Sequence, residues 1–174
     1  MEVFMRIRFV VGLIFILVGN VLAQSPSVYI KQVGDNSSVN LLQRGDSNSF
    51  SLNQIGELNR VNLSQASGAS ANIRQSGSGN VMDASQSGAN TLQAFQSGTA
   101  NTARVIQNGS DNIALLEQNG SNNIINLEQH GSGNRSEDIQ RGSENRIDKI
   151  QFGGAESRVE QYGSGLSVKI TSEF

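Results

Sequence analysis

Apolar and polar residues alternate along this chain in short segments, and glycine and asparagine are frequent between the segments. In residues 112–118 every second side chain, from Asn112 through Ala114 and Leu116 to Gln118, is predicted to point to the same side of a β-strand. The next four residues include glycine and asparagine, which accept the positive φ of tight turns. A strand of seven residues and a turn of four therefore make one unit of 11 residues.

Thirteen glutamines mark the repetition of this unit, at gaps of 10 or 11 residues. They are Gln32, Gln43, Gln54, Gln65, Gln75, Gln86, Gln96, Gln107, Gln118, Gln129, Gln140, Gln151 and Gln161. Glycine stands two positions after twelve of them, at Gly34, Gly45, Gly56, Gly77, Gly88, Gly98, Gly109, Gly120, Gly131, Gly142, Gly153 and Gly163. Asparagine stands six positions before nine of them, at Asn48, Asn59, Asn80, Asn90, Asn101, Asn112, Asn123, Asn134 and Asn145. A fixed period of this kind is typical of repeat architectures.

The repeat predicts an all-β fold. Because successive strands carry the same inward set of Asn, two apolar residues and Gln, two facing strands can close one rung of 21–22 residues. Stacked rungs give a two-sheet β-solenoid of the cross-β type with about six to seven rungs. Alternate glutamines then fall in one column, and stacked amides at a spacing of about 4.8 Å form hydrogen-bonded ladders. We therefore expect the glutamines and asparagines to form structural amide ladders and the glycines to form the turns.

Composition excludes several classes of function. The chain is 36% hydrophobic and 5% aromatic, has no Cys and carries a formal charge of −2, so it has neither thiol chemistry nor the basic surface that nucleic acid requires. His130 is the only histidine and falls in a predicted turn. The turn serines have no predicted general base, and no glycine-rich loop continues into the Lys-Ser/Thr of a phosphate site. We expect no enzymatic activity, cofactor, metal, nucleic-acid partner or small-molecule substrate.

The N-terminus has the layout of a secretory signal peptide. Arg6 and Arg8 precede an apolar run over residues 9–18, and Val21, Leu22 and Ala23 form a plausible cleavage site. The run is short for a membrane span of about 20 residues. We therefore predict a signal peptide over residues 1–23 and a solenoid over residues 24–174.

The predicted first and last strands, residues 28–32 and 166–171, leave two sheet edges without an obvious cap. Because an exposed edge is a template for another chain, we expect end-to-end self-assembly into a fibre.

Two charged residues interrupt the inward pattern. Asp138 and Lys149 stand two positions before Gln140 and Gln151, on successive strands. A buried ion pair seldom offsets the desolvation of its two charges, so we expect a local bulge that turns Ile139 and Ile150 inwards instead. The alternative is a buried Asp–Lys pair that weakens the C-terminal rungs.

The unit Gln-x-Gly-x-x-Asn-x-Ala-x-x-x-Gln resembles the curlin repeat of bacterial curli fibres, and Gln107 to Gln118, with Gly109, Asn112 and Ala114, matches it in full. The resemblance extends over about residues 28–170. It implies a secreted subunit of an extracellular functional amyloid fibre (a fimbrium or pilus), used in biofilm matrix and surface adhesion. It also implies a second curlin-type subunit as partner, and export through a curli-type secretion pore with accessory proteins.

Three features depart from that family or leave alternatives open. Only residues 24–27 separate the predicted signal peptide from the first repeat, where curli subunits carry a longer Gly-rich segment. Regular central units are typical of a major subunit and imperfect final units of a nucleating one, so the two roles stay open. A monomeric secreted β-solenoid that binds a polysaccharide or ice is the alternative, but its flat outward row of one residue type is missing here.

Overall fold

The structure is a computed structural model that describes residues 5–8, 13–18 and 26–173, with side chains described over residues 26–173. The described residues form sixteen strands. They are β1 Met5–Arg8, β2 Leu13–Val18, β3 Ser27–Val33, β4 Ser38–Arg44, β5 Ser49–Glu57, β6 Arg60–Ala66, β7 Ser70–Ser78, β8 Val81–Ser87, β9 Thr91–Thr99, β10 Thr102–Asn108, β11 Ile113–Ser121, β12 Ile124–His130, β13 Arg135–Ser143, β14 Arg146–Phe152, β15 Glu156–Ser164 and β16 Ser167–Ser172. No helix long and apolar enough to cross a membrane occurs in these described ranges.

The strands form two parallel sheets of eight strands each. Odd-numbered strands stack in sequence order as sheet A, and even-numbered strands stack as sheet B. Equivalent residues lie beside each other in every pair of strands, so Gln118 of β11 lies beside Gln96 of β9 and Gln140 of β13. The predicted two-sheet β-solenoid is confirmed, with seven rungs from β3–β4 to β15–β16.

The core is a thin apolar layer between the sheets. Inward residues such as Phe50 and Leu52 of sheet A and Ile125 and Leu127 of sheet B are almost fully buried. Outward residues of the same strands are half-buried or exposed, as the period of two requires. Each fully buried aliphatic or aromatic side chain contributes about 1.5–3 kcal/mol relative to an exposed one.

The two turns of a rung differ, which the sequence analysis did not anticipate. Strands of sheet A from β5 onward have nine residues and sheet B strands from β4 to β14 have seven. The prediction of a uniform seven-residue strand followed by a four-residue turn was therefore wrong for most of sheet A. There the pairing runs on through the glycine to the next residue, as in Gly120 beside Gly98 and Ser121 beside Thr99. Only two residues, such as 122 and 123, then connect sheet A to sheet B.

Two strands precede the repeat region. β1 pairs with β3 in sheet A and β2 pairs with β4 in sheet B, with Val18 beside Gln43. Both strands lie within the predicted signal peptide of residues 1–23, whose proposed cleavage site at Val21–Ala23 falls outside the described residues. The signal peptide stays a prediction.

Candidate functional site

The glutamines form two continuous ladders inside the solenoid. In sheet A, Nε2 of each glutamine donates to Oε1 of the next at 2.6–3.0 Å, through Gln32, Gln54, Gln75, Gln96, Gln118, Gln140 and Gln161. In sheet B the same bonds measure 2.9–3.0 Å, through Gln43, Gln65, Gln86, Gln107, Gln129 and Gln151. All thirteen glutamines are buried. Every ladder bond points from the N-terminal rung towards the C-terminal rung.

The second proton of the glutamine amide connects the two sheets. Gln118 Nε2 donates to the backbone carbonyl of Thr102 at 3.0 Å, and Gln107 Nε2 donates to that of Thr91 at 3.1 Å. Each acceptor is the first residue of the preceding strand, which belongs to the facing sheet. A buried amide without partners costs about 1–3 kcal/mol, so this double bonding removes the cost of placing glutamine in the core.

The asparagine ladders run in the opposite direction. Asn101 Nδ2 donates to Oδ1 of Asn80 at 3.0 Å, and the Asn101 backbone N–H donates to the same oxygen at 3.2 Å. Asn101 Nδ2 also donates to the carbonyl of Gly120 at 2.9 Å, which holds the turn of the next rung. The nine predicted asparagines are all buried.

Some positions of the asparagine columns hold other residues. Ser37 stands six positions before Gln43, is buried, and accepts a hydrogen bond from the Asn59 backbone N–H at 3.2 Å. Ala69 and Ala155 occupy two further asparagine positions, and their backbone N–H groups donate to the asparagine of the rung before. Ser37 was not among the predicted ladder residues, although its place six positions before Gln43 was a sufficient signal.

All twelve turn glycines have positive φ, between 56° and 128°. Gly98 illustrates the steric need: at φ 106° a Cβ would lie 2.1 Å from the carbonyl oxygen of Gly120. Backbones of successive rungs therefore touch at this turn, and only glycine permits the contact.

The inward charges form a buried ion pair, and the expected bulge is wrong. Asp138 and Lys149 side chains are fully buried, and Lys149 Nζ donates to Asp138 Oδ1 across the core. The strand register is unbroken on both sides of each residue. Ile139 and Ile150 stay outward and half-buried.

Neighbouring contacts explain why the strand does not bulge. Ser136 accepts from Lys149 Nζ at 3.0 Å and donates to Asp138 Oδ2 at 2.8 Å, so both charges have a second polar partner. Gln140 and Gln151, two residues further on, are fixed in their ladders. A one-residue slip would displace them. Burial is the largest influence on Asp138 and raises the pKa of its carboxyl, against the opposing effect of Lys149.

Among the described residues no group of three or more His, Asp and Glu side chains could hold a metal ion. His130 closes β12 rather than lying in a turn, stacks on Phe152 with ring centroids 5.3 Å apart, and lies 3.5 Å from Glu128. These contacts account for the histidine as a surface residue packed between rungs.

Comparison with known families agrees with this geometry. Residues 27–66 and 89–120 match the family model described as the Curlin associated repeat. Both segments are similar to curlin-associated repeats. The match confirms the resemblance found from the sequence, and the family it indicates is structural rather than catalytic. No significant match was found among curated proteins or among solved structures. The rungs between the two matched segments continue the ladders of the curlin-associated repeats without interruption.

Proposed function

We propose that this chain is a structural subunit of an extracellular, curli-type functional amyloid fibre that serves in biofilm matrix and surface adhesion. The observation that supports it most is the like-on-like parallel stacking of all seven rungs. The repeat that stacks within one chain is the same repeat that another copy would present. Curlin-associated repeats in two segments of the chain point to the same class of assembly.

Open edges supply the route to assembly. β15 and β16 are the outermost strands of their sheets on the C-terminal side and pair on one side only within the described structure. Edge strands present unpaired N–H and C=O groups, and a further strand is the natural partner for them. A second copy satisfies these groups by adding its own rung.

Partners and location follow the family. The proposal includes self-association, a second curlin-type subunit, and export through a curli-type secretion pore with accessory proteins. It also includes removal of residues 1–23 as a signal peptide, which would leave the solenoid over residues 24–174.

A monomeric solenoid that binds a polysaccharide or ice is the competing function. A lattice-binding face needs one residue type repeated along a row. Along one outward row of sheet A, successive rungs instead carry Arg74, Phe95, Glu117 and Ile139. This mixed row favours the fibre.

The test is to dilute residues 24–174 from denaturant into neutral buffer and to follow amyloid-dye fluorescence, with fibre diffraction of the product. Spontaneous growth and a meridional reflection at about 4.7–4.8 Å support the fibre subunit. A chain that remains a folded, β-rich monomer contradicts it and favours the surface-binding solenoid.

A further inference from the structure

Each glutamine ladder begins on an unpaired acceptor. Gln32 Oε1 and Gln43 Oε1 are buried and have no hydrogen-bond partner among the residues whose side chains the structure describes. They belong to the first glutamines of sheets A and B, whereas each later ladder glutamine accepts a bond from the one before it. A buried acceptor without a partner is costly and calls for a donor from outside the described contacts.

The opposite end of the repeat region offers matching donors. Gln161 is the last glutamine of the sheet A ladder, and within the described part of the chain its Nε2 donates only to the Arg146 carbonyl, at 3.1 Å. In sheet B, Ser172 stands beside Gln151 at the position of the next glutamine. An amide in one sheet and a hydroxyl in the other can therefore continue the two ladders.

Resting on the fibre function proposed above, we propose that copies join head to tail in one register: β15 of one copy pairs with β3 of the next, and β16 pairs with β4. Gln161 then lies beside the next copy's Gln32, and Ser172 lies beside its Gln43. Both orphan oxygens receive a donor, and the amide ladders run through the joint.

Charges on the two edges agree with this register. Glu160 falls beside the next copy's Lys31, and Glu173 falls beside its Arg44. Like the ladders, these two pairs lie one in each sheet. Complementary charges at an interface select partner and register more than they add affinity.

One aromatic contact supports the same alignment. Arg74 lies over Phe95 and Arg141 lies over Tyr162, each 5.6 Å from the ring centroid, between neighbouring strands of sheet A. The proposed joint places Arg158 beside the next copy's Tyr29 and so repeats this contact.

The backbone distinguishes this joint from one rotated by half a turn, in which β15 would meet β4. Gly163 and Gly34 have φ of 125° and 116° and belong to the glycine column of sheet A. A Cβ at Gly34 would lie 2.2 Å from the Gly56 carbonyl oxygen, so rungs touch closely along this column. The proposed joint keeps Gly163 in this close column, whereas the rotated joint would set it against Gly45 of sheet B, whose φ is 76°.

The proposed joint also places Pro26 against Ala155. At this position of other rungs a backbone N–H donates to the asparagine oxygen of the rung before. Pro26 has no N–H and Ala155 has no side-chain oxygen, so the joint leaves neither a donor nor an acceptor unpaired there.

The predicted signal peptide, residues 1–23, affects when the joint can form. β1 and β2 cover β3 and β4 in the described chain, with Val18 beside Gln43. Removal of residues 1–23 would open the edge to the next copy.

Cysteine pairs test the joint directly, because the chain has no Cys of its own. In the proposed register Tyr162 lies beside the next copy's Val33, at a strand spacing of about 4.8 Å that a disulfide can bridge. Within one copy the two positions are six strand steps apart, about 29 Å. We expect Val33→Cys/Tyr162→Cys fibres, grown reduced and then oxidised, to give a ladder of covalent oligomers on a non-reducing gel.

Four control variants define the outcomes. Val33→Cys/Glu160→Cys is two residues out of register, at about 8 Å, and is expected to stay monomeric on the gel. Arg44→Cys/Tyr162→Cys gives the ladder only in the rotated joint. The single variants Val33→Cys and Tyr162→Cys give disulfide-linked dimers only if like edges of two copies meet. A covalent ladder from either double control, or dimers from a single variant, in place of the Val33–Tyr162 ladder would overturn the joint but leave the fibre function standing. Absence of fibres from the unsubstituted chain overturns both.

If the cysteine variants fail to assemble, charge-reversal variants test the same joint. Lys31→Glu and Glu160→Lys are each expected to slow elongation a few-fold, and the double variant is expected to recover. Glu160 also contacts Arg158 and Tyr162 in its own copy, so recovery rather than loss is the diagnostic result. Arg74→Glu is the control for Lys31→Glu, at the same outward position two strands further into sheet A. A double variant slower than both single variants overturns the joint.

Discussion

Lys149 Nζ, on sheet B, donates to Asp138 Oδ1, on sheet A, and both side chains are fully excluded from solvent. The neighbouring rungs place Leu116 and Val159 beside Asp138, and Leu127 and Ile170 beside Lys149. The pair therefore sits in an apolar layer with Ser136 as its additional polar partner.

Single and double replacements of this pair should change the free energy of unfolding in different directions. Asp138→Leu or Lys149→Leu alone strands a buried charge and should destabilise the solenoid by about 3–5 kcal/mol. The double variant continues the apolar columns and should be neutral or more stable by about 1–4 kcal/mol. Guanidinium dissolution midpoints of the assembled chain measure the effect. A double variant as unstable as the two single variants combined would contradict this account.

Stability of the pair should depend on pH. Burial raises the pKa of Asp138 above 3.8, its ordinary value, so the folded state holds the proton more tightly than the unfolded chain. As pH rises from 3.8 through the raised pKa, this group's contribution to the free energy of unfolding decreases. The advantage of the Asp138→Leu/Lys149→Leu variant over the native chain should therefore grow with pH.

The test is to measure guanidinium dissolution midpoints of the native chain and of the Asp138→Leu/Lys149→Leu variant between about pH 3 and about pH 7. Asp148 has the opposite sign, because its hydrogen bond with Arg146 lowers the pKa of its carboxyl, and that contribution is lost as pH falls through the lowered pKa. Both chains keep Asp148, so its effect cancels in the comparison. A difference that shrinks as pH rises would show that Lys149 outweighs burial.

Removal of a ladder amide should slow fibre growth. Gln118→Ala leaves the donor of Gln96 and the acceptor of Gln140 without their ladder partner, at about 1–3 kcal/mol for each buried group. Gln107→Ala has the same effect in sheet B. Elongation rates from dye fluorescence give the measurement. Gln93→Ala, on the exposed face of β9, is the matched control, and equal rates for all three variants would refute the ladder argument.

Alanine at a close turn glycine should disrupt the stack. Gly98→Ala forces a Cβ to within 2.1 Å of the Gly120 carbonyl oxygen, so the rungs must separate at that turn. Gly79→Ala is the matched control, because its φ is also positive but the nearest atom, Ala100 N, is 4.0 Å away. Ala100 already adopts φ 55° at the equivalent position of the next rung. We expect a large loss of dissolution midpoint for Gly98→Ala and a smaller loss, equivalent to about 1–2 kcal/mol of left-handed backbone strain, for Gly79→Ala.

Most of the fold was readable because one period governs it. The step from Gln107 to Gln118 fixes strand, turn and inward face together, and repetition removes the ambiguity of any single unit. The environment of Lys149 was not readable in the same way, because it depends on Ser136 of the facing strand. The difference between the two turns did leave a signal: all three 10-residue gaps follow glutamines of sheet B, namely Gln65, Gln86 and Gln151.

That difference gives the molecule two unlike long sides. From β5 onward, two residues join each sheet A strand to the next sheet B strand, as at 100–101 and 122–123. On the other side, three residues connect β6 to β7 and β8 to β9, whereas four connect β10 to β11. From β5 onward, variation in connector length is therefore confined to one side of the described rungs. A peptide inserted there, for example between the exposed Ser110 and Asp111, would decorate a single flank, which makes that flank the place to attach cargo along the solenoid axis.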